Sequence, residues 1–201
     1  MKVIALNGSP RAGGNTEILL KKAMEPLAEA GWETEYIRVG GKPLRGCIAC
    51  GKCRELKNRR CAIKNDSLND YLDRIFEADA ILIGSPTYFA DMSAETKALI
   101  DRVGVVNRAN GFLLNGKIGA AVVAVRRGGA THVFDSINHM FQMSNMILPG
   151  SSYWNMGYGL DKEDVLEDTE ALLNMKQLGS TIAWLGKALK AQGEVYPMVT
   201  A

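Results

Sequence analysis

A chain of 201 residues, 47% of them apolar, with a formal net charge of +2, is sized for a single domain, 1–201, that buries a substantial core. So small a charge argues against bulk nucleic-acid wrapping and against a membrane surface, and no apolar run approaches the roughly 20 residues that cross a bilayer. The start, "MKVIALNGSP", is broken too early for a signal peptide, so a cytoplasmic protein is expected.

Short β-rich apolar runs at "KVIALNG", "ETEYIRV", "ADAILIGSP", "GKIGAAVVAV" and "NMILPGS" predict five buried strands. Between them "NTEILLKKAMEPLAEAG", "SLNDYLDRIFEAD", "SAETKALIDRVGVVN" and "ATHVFDSINHMFQMS" carry helical apolar spacing, and a last helix is expected from about Glu163 to Lys190. Pro26 falls inside the first helix, where a kink or tight bend is expected. Strands alternating with helices imply a doubly wound α/β domain with a parallel sheet covered on both faces. The segment 42–64 is the one insertion that breaks this rhythm.

Three loops then fall at the carboxyl ends of predicted strands, where open α/β sheets bind ligands. After the first strand, "LNGSPRAGGNTE" offers flexible backbone, the hydroxyls of Ser9 and Thr16, the Asn15 amide, the Arg11 guanidinium and a helix N-terminus, which together suit a terminal monophosphate. Neither the triphosphate-binding Lys-Ser/Thr nor G-x-G-x-x-G is present. A bland reading also stands: a turn whose Ser and Thr only cap the helix. After the third strand, "GSPTYFADMSAETK" sets two aromatics beside polar backbone, as a flat conjugated ring needs, before a helix capped by Ser93. After the fourth, Arg126-Arg127-Gly128-Gly129 makes another permissive loop.

All four cysteines lie in "CIACGKCRELKNRRC", a Cys-x2-Cys-x2-Cys-x7-Cys run from Cys47 to Cys61. In a reducing compartment such a run binds metal or does redox chemistry. Four thiolates can wrap an iron–sulfur cubane; zinc and thiols left without metal are the rival readings. Around them stand Lys42, Arg45, Lys52, Arg54, Lys57, Arg59, Arg60 and Lys64 against one acid, Glu55. Such a patch favours a reduced, more negative cluster and could steer an acidic redox protein to dock, or could be only a solvated loop. Without an aromatic residue for stacking, it is not read as a nucleic-acid site.

Through "GSPRAGGNT", "GSPTYF" and "RRGG" together, the chain resembles the flavodoxin-like NAD(P)H-dependent FMN reductases. The cysteine run makes it similar, more narrowly, to the iron–sulfur flavoproteins. The resemblance implies a five-stranded sheet of order 2-1-3-4-5 and FMN, with Ser9, Arg11, Asn15 and Thr16 at the phosphate. It places Pro86, Thr87, Tyr88 and Phe89 beside the isoalloxazine and makes Gly128 and Gly129 a third wall. It implies a 4Fe–4S cluster on Cys47, Cys50, Cys53 and Cys61, brought near a flavin in a homodimer or homotetramer. The expected activity is a flavin oxidoreductase using NAD(P)H or ferredoxin as donor and a small acceptor, such as a quinone, nitro compound, oxygen or peroxide. A cluster-free FMN or quinone reductase, and an electron carrier or redox sensor serving a protein partner, are the alternatives.

No catalytic side chain is required by flavin chemistry, and none is assigned. His132 and His139, seven residues apart, stand two helical turns apart, too distant to share a metal. Tyr153, Trp154 and Tyr158 follow the fifth predicted strand, where packing, a flavin cover and a subunit contact are all open. "KEDVLEDTE" is expected to be a solvated helix face.

Overall fold

The computed structural model of the chain describes residues 1–197. Its elements run β1 (Lys2–Asn7), α1 (Asn15–Glu29), β2 (Glu33–Arg38), α2 (Lys52–Leu56), α3 (Leu68–Glu77), β3 (Ala80–Tyr88), β4 (Asp91–Met92), α4 (Ala94–Ala109), β5 (Ile118–Val125), α5 (Ala130–Met143), β6 (Met156–Tyr158) and α6 (Thr169–Gln192). A 3-10 turn, Asp164–Glu167, precedes α6. The strands order as β2-β1-β3-β5-β6, all parallel, with β4 turning back antiparallel on β3. Leaving out the two-residue β4, this is the expected 2-1-3-4-5 order of a flavodoxin-like sheet.

The sheet divides the core into two layers. Val3, Ala5, Leu82, Ala120 and Val122 point toward α1 and α6, while Ile4, Leu6, Ile81, Ile83, Ala121 and Val123 point toward α3, α4 and α5. Alternate residues of one strand thus serve opposite faces, which is why β3 and β5 read as continuous apolar runs. Helices α1 and α6 approach so closely at Gly179 that a β-carbon there would stand 2.1 Å from the Ala23 carbonyl oxygen.

Four expectations change. The fifth strand was expected at 145–151, but there only Ile147 makes a single bridge, to Ile118. The chain then leaves the sheet at Pro149, which has no N–H to donate to a ladder, and pairs again at Met156–Tyr158 against Val123–Val125. Pro26 lies within α1, which continues past it to Glu29, so only three helical residues follow the proline. The last helix does not begin at Glu163: Asp168 caps α6 by accepting from the Ala171 N–H at 3.0 Å. "KEDVLEDTE" is accordingly more than a solvated face, since Val165 is fully buried and Asp164 accepts the N–H groups of Leu160 and Asp161. The cysteine loop adds α2, a five-residue turn of helix that contains Cys53.

Candidate functional site

Asn7, fully buried at the end of β1, organises the first loop through its carboxamide. Its Oδ1 accepts the Ser9 N–H at 2.8 Å and its Nδ2 donates to the Tyr36 hydroxyl at 2.8 Å. Burial, foremost, pushes the Tyr36 phenol up to about 12. The chain after β2 presses on the same loop: a β-carbon at Gly40 would stand 2.3 Å from the Gly8 carbonyl oxygen. From the other side Ser93 Oγ donates to that carbonyl at 2.8 Å. The expected cap is made as well, Ser93 Oγ accepting the Thr96 N–H at the start of α4.

Helix α1 starts behind Gly14 and no side chain caps it. Ser and Thr of the loop are therefore not spent on capping, and the first-turn N–H groups have no helical acceptor. Uncapped amides with the positive end of the helix are the arrangement that binds phosphate. Burial alone would raise the Glu17 carboxyl, but hydrogen bonds from Lys21 and the Gly13 N–H outweigh it and hold it below the ordinary carboxylate value.

Ser9, Arg11, Asn15 and Thr16 share one cleft of about 240 Å³ with Pro86, Thr87 and Tyr88. Ala124, Val125, Arg126, Gly159 and Leu160 complete it. Arg11 Nη1 donates to the Leu160 carbonyl at 3.0 Å, so the segment after β6 forms a wall that the three strand-end loops alone do not supply. Thr87 Oγ1 is buried without a hydrogen-bond partner. An orphaned hydroxyl lining that cleft fits a bound heterocycle that supplies the missing partner.

Phe89 stands outside this cleft. Thr87 pairs with Met92 and Tyr88 with Asp91, leaving Phe89 and Ala90 as the two turn residues, both at positive φ (45° and 70°). The Phe89 ring at the tip is fully exposed. Gly128 and Gly129 line an adjoining cavity of about 320 Å³ with Tyr153, Trp154 and Tyr158, whose rings remain half or more exposed. His132 lies 3.5 Å from Asp91, and His139 lines a separate groove between α4 and α5.

The second candidate centre is the cysteine loop. Cys47, Cys50, Cys53 and Cys61, all free thiols, line one cavity of about 230 Å³ against Arg102, Val105 and Val106 of α4. Among the described residues no three His, Cys, Asp or Glu side chains converge closely enough to hold a single metal ion. The Ala49 N–H approaches Cys47 Sγ at 3.4 Å. Arg102, 1% exposed, donates to Cys61 Sγ from Nε (3.4 Å) and Nη2 (3.3 Å), and to the Asp66 carboxylate from both Nη atoms. Burial would lower the Arg102 pKa, but the bonds to Asp66 and Cys61 outweigh it, so the guanidinium stays charged. Burial also raises Asp66, and there the Arg102 bond, with the N–H groups of Arg45 and Leu68, brings the carboxyl below its ordinary value.

Neither Arg102 nor the Gly159–Val165 segment was expected at a site. For Arg102 the signal was present: it falls on the same helical stripe as Leu99, Val103 and Val106, all buried, and a charge at a core position is a residue with a task. The second segment carries no comparable mark.

Residues 1–161 match the model of the NADPH-dependent FMN reductase family. An iron-sulfur flavoprotein of Methanocaldococcus jannaschii is 37% identical over 197 residues, covering 94% of this chain and 100% of that protein. An iron-sulfur flavoprotein of Methanosarcina thermophila is 34% identical over 154 residues, 76% of this chain and 78% of that one. Among solved structures, RosB with a bound 8-demethyl-8-formylriboflavin-5'-phosphate intermediate superposes with a TM-score of 0.75 at 18% identity, covering 96% of this chain and 82% of that one. The sheet order, the cleft at its carboxyl edge and these matches agree: the chain belongs to the NADPH-dependent FMN reductase family, beside the iron-sulfur flavoproteins, and is a flavin oxidoreductase.

Proposed function

We propose that the protein relays electrons between a 4Fe–4S cluster on Cys47, Cys50, Cys53 and Cys61 and FMN in the cleft after β1, β3 and β5, serving a small acceptor or a redox protein. The observation that carries this reading is the placement of the thiols: all four line one cavity of about 230 Å³. Donors spaced around a volume suit a polynuclear group better than one tetrahedral zinc ion. The names of the relatives point the same way.

FMN exchanges electrons in pairs or singly, and an iron–sulfur cluster exchanges them singly. The chain's own residues place and protect these groups. The uncapped start of α1 with Ser9, Arg11 and Thr16 would hold the phosphate; Asn15 acts one step removed, because both ends of its side chain already bind the segment at Asp161–Val165. Pro86, Thr87 and Tyr88 would border the ring, with the Thr87 hydroxyl as a hydrogen-bonding partner. Gly128 and Gly129 leave room along the adjoining cavity, where the nicotinamide of NAD(P)H or a small acceptor would approach.

Seven of the eight basic side chains from Lys42 to Lys64 are exposed; Arg60 is half-buried, with its guanidinium on Asp73 at 2.6 Å. In this reading they receive an acidic, ferredoxin-like electron donor. Electron transfer from reduced ferredoxin slows at high ionic strength and on reversing Arg59 together with Lys57 to Glu; insensitivity to both rejects the docking role. Association into a homo-oligomer belongs to the same reading, and sedimentation of the purified protein tests it.

Anaerobic purification followed by iron, sulfide and flavin analysis decides the main reading. Equal iron and sulfide together with FMN, and a broad visible absorbance beneath the flavin bands, are expected. FMN without iron or sulfide would leave the cluster-free NAD(P)H-dependent FMN or quinone reductase. Turnover of small acceptors with NADPH alone separates an enzyme from a carrier that works only with a protein partner.

A further inference from the structure

Arg102 is the largest of the fully buried side chains among the described residues, and its carboxylate partner Asp66 has a side chain only 3% exposed. A buried ion pair is a weak source of stability, because desolvating both charges consumes most of their attraction. The geometry indicates a different task. The hydrogen bonds of the guanidinium reach residues 45–66: Cys61 Sγ, both Asp66 oxygens, the Arg45 carbonyl at 2.9 Å and the Ile63 carbonyl at 3.5 Å. One rigid fork, fixed to α4, thus touches the entrance of the loop, its exit and its fourth thiol.

Resting on the cluster reading above, we propose that Arg102 is a positioning residue for that centre: its fork fixes Cys61 as the fourth ligand, and its charge, offset by Asp66, tunes the reduction potential. Two N–H groups directed at a ligating sulfur withdraw electron density from it. A fixed positive charge beside the centre favours the state with the added electron, and a fixed negative charge disfavours it. Arg102 and Asp66 therefore act in opposite directions on the potential while acting together on the geometry. Seven of the eight loop cations are exposed, where water and salt screen them; Arg102 is enclosed.

The test uses anaerobically purified full-length protein, with FMN content as the check of folding. Two quantities are read: the midpoint potential of the iron centre from a dye-mediated titration followed by electron paramagnetic resonance, and the rate of iron loss to a chelator. Arg102→Gln is expected to lower the potential and Asp66→Asn to raise it. Arg102→Lys keeps the charge without the two-point grip, so the potential stays near that of the parent while iron is lost about 10- to 100-fold faster, the range typical of removing a partner of a metal ligand. Should Arg102→Gln not fold, Arg102→Lys and Asp66→Asn decide by the same readouts. Parent protein without iron and sulfide overturns the cluster reading and this inference with it. A loaded parent whose charge variants shift the potential in the same direction or not at all, or whose Lys variant keeps its iron as the parent does, overturns this inference alone.

Discussion

Asn15 Nδ2 donates to the Asp161 carbonyl oxygen at 2.9 Å, joining segments 146 positions apart in the chain. Its Oδ1 accepts the Val165 N–H at 3.3 Å, so one side chain holds the segment after β6 against the start of α1. Replacing Asn15 by Ala releases that wall without removing a backbone amide from the phosphate loop. FMN affinity is expected to fall about 10-fold, the equivalent of roughly one hydrogen bond, in a fluorescence-quenching titration of the flavin-free protein. Unchanged affinity would mean that the segment only covers α1.

Thr87 offers a test with two signs. Its hydroxyl has no partner within the protein, so Thr87→Val removes a buried polar group that costs free energy in the flavin-free state. Flavin-free Thr87→Val is expected to melt no lower than the parent, while its affinity for FMN falls about five-fold. A fall in flavin-free stability with intact affinity would place the hydroxyl outside the flavin contacts.

Tyr36 governs the alkaline limit. Its folded-state pKa of about 12 exceeds the ordinary 10.0, so the folded protein keeps a proton that the unfolded chain gives up. The stability this contributes is complete below pH 10 and is lost as pH rises toward 12. Absorbance at the phenolate band should show a step near 12, and Tyr36→Phe should abolish it. Absence of a step near 12 would disprove the buried Asn7–Tyr36 arrangement.

Gly40 tests the fit between the end of β2 and the first loop. A methyl group there meets the Gly8 carbonyl oxygen and the Ser9 carbonyl carbon, each at 2.3 Å, and backbone cannot turn aside as a side chain can. Gly40→Ala is expected to cost about 1–3 kcal/mol in urea unfolding and to weaken FMN binding as well. Loss of stability with undiminished binding would show that the loop moves aside without changing its amides.

The sheet was legible because its central strands are buried on both faces: "AILIGSP" and "IGAAVVAV" leave no other assignment. The fifth strand was not, because Met146, Ile147 and Leu148 form the more apolar run while β6 is only Met-Gly-Tyr; Pro149 and an excursion of the chain decide between them. Sequence order placed Ser9, Arg11, Asn15, Thr16, Pro86, Thr87 and Tyr88 on one rim, and the fold gathers them into one cleft. It could not show that Asn15 is already occupied or that a two-residue turn carries Phe89 away from that cleft. Four thiols in one run announced a centre, whereas the buried arginine that meets them comes from a helix many residues downstream, and no local pattern links the two.

Because Arg45 and Asp66 both meet Arg102, the stretch between them is a ring whose ends are already joined. The entropy of such a ring depends only weakly on its size, about 0.6 kcal/mol for each doubling. Cys53 sits within α2, one turn of helix that starts at the Gly51 cap, but from Lys57 to Arg60 the chain runs outside any helix or strand. Added or removed residues there change the circumference and leave the anchor in place. The seven-residue gap before Cys61 is in this sense an adjustable length, whereas Cys53 is held by the turn of helix around it.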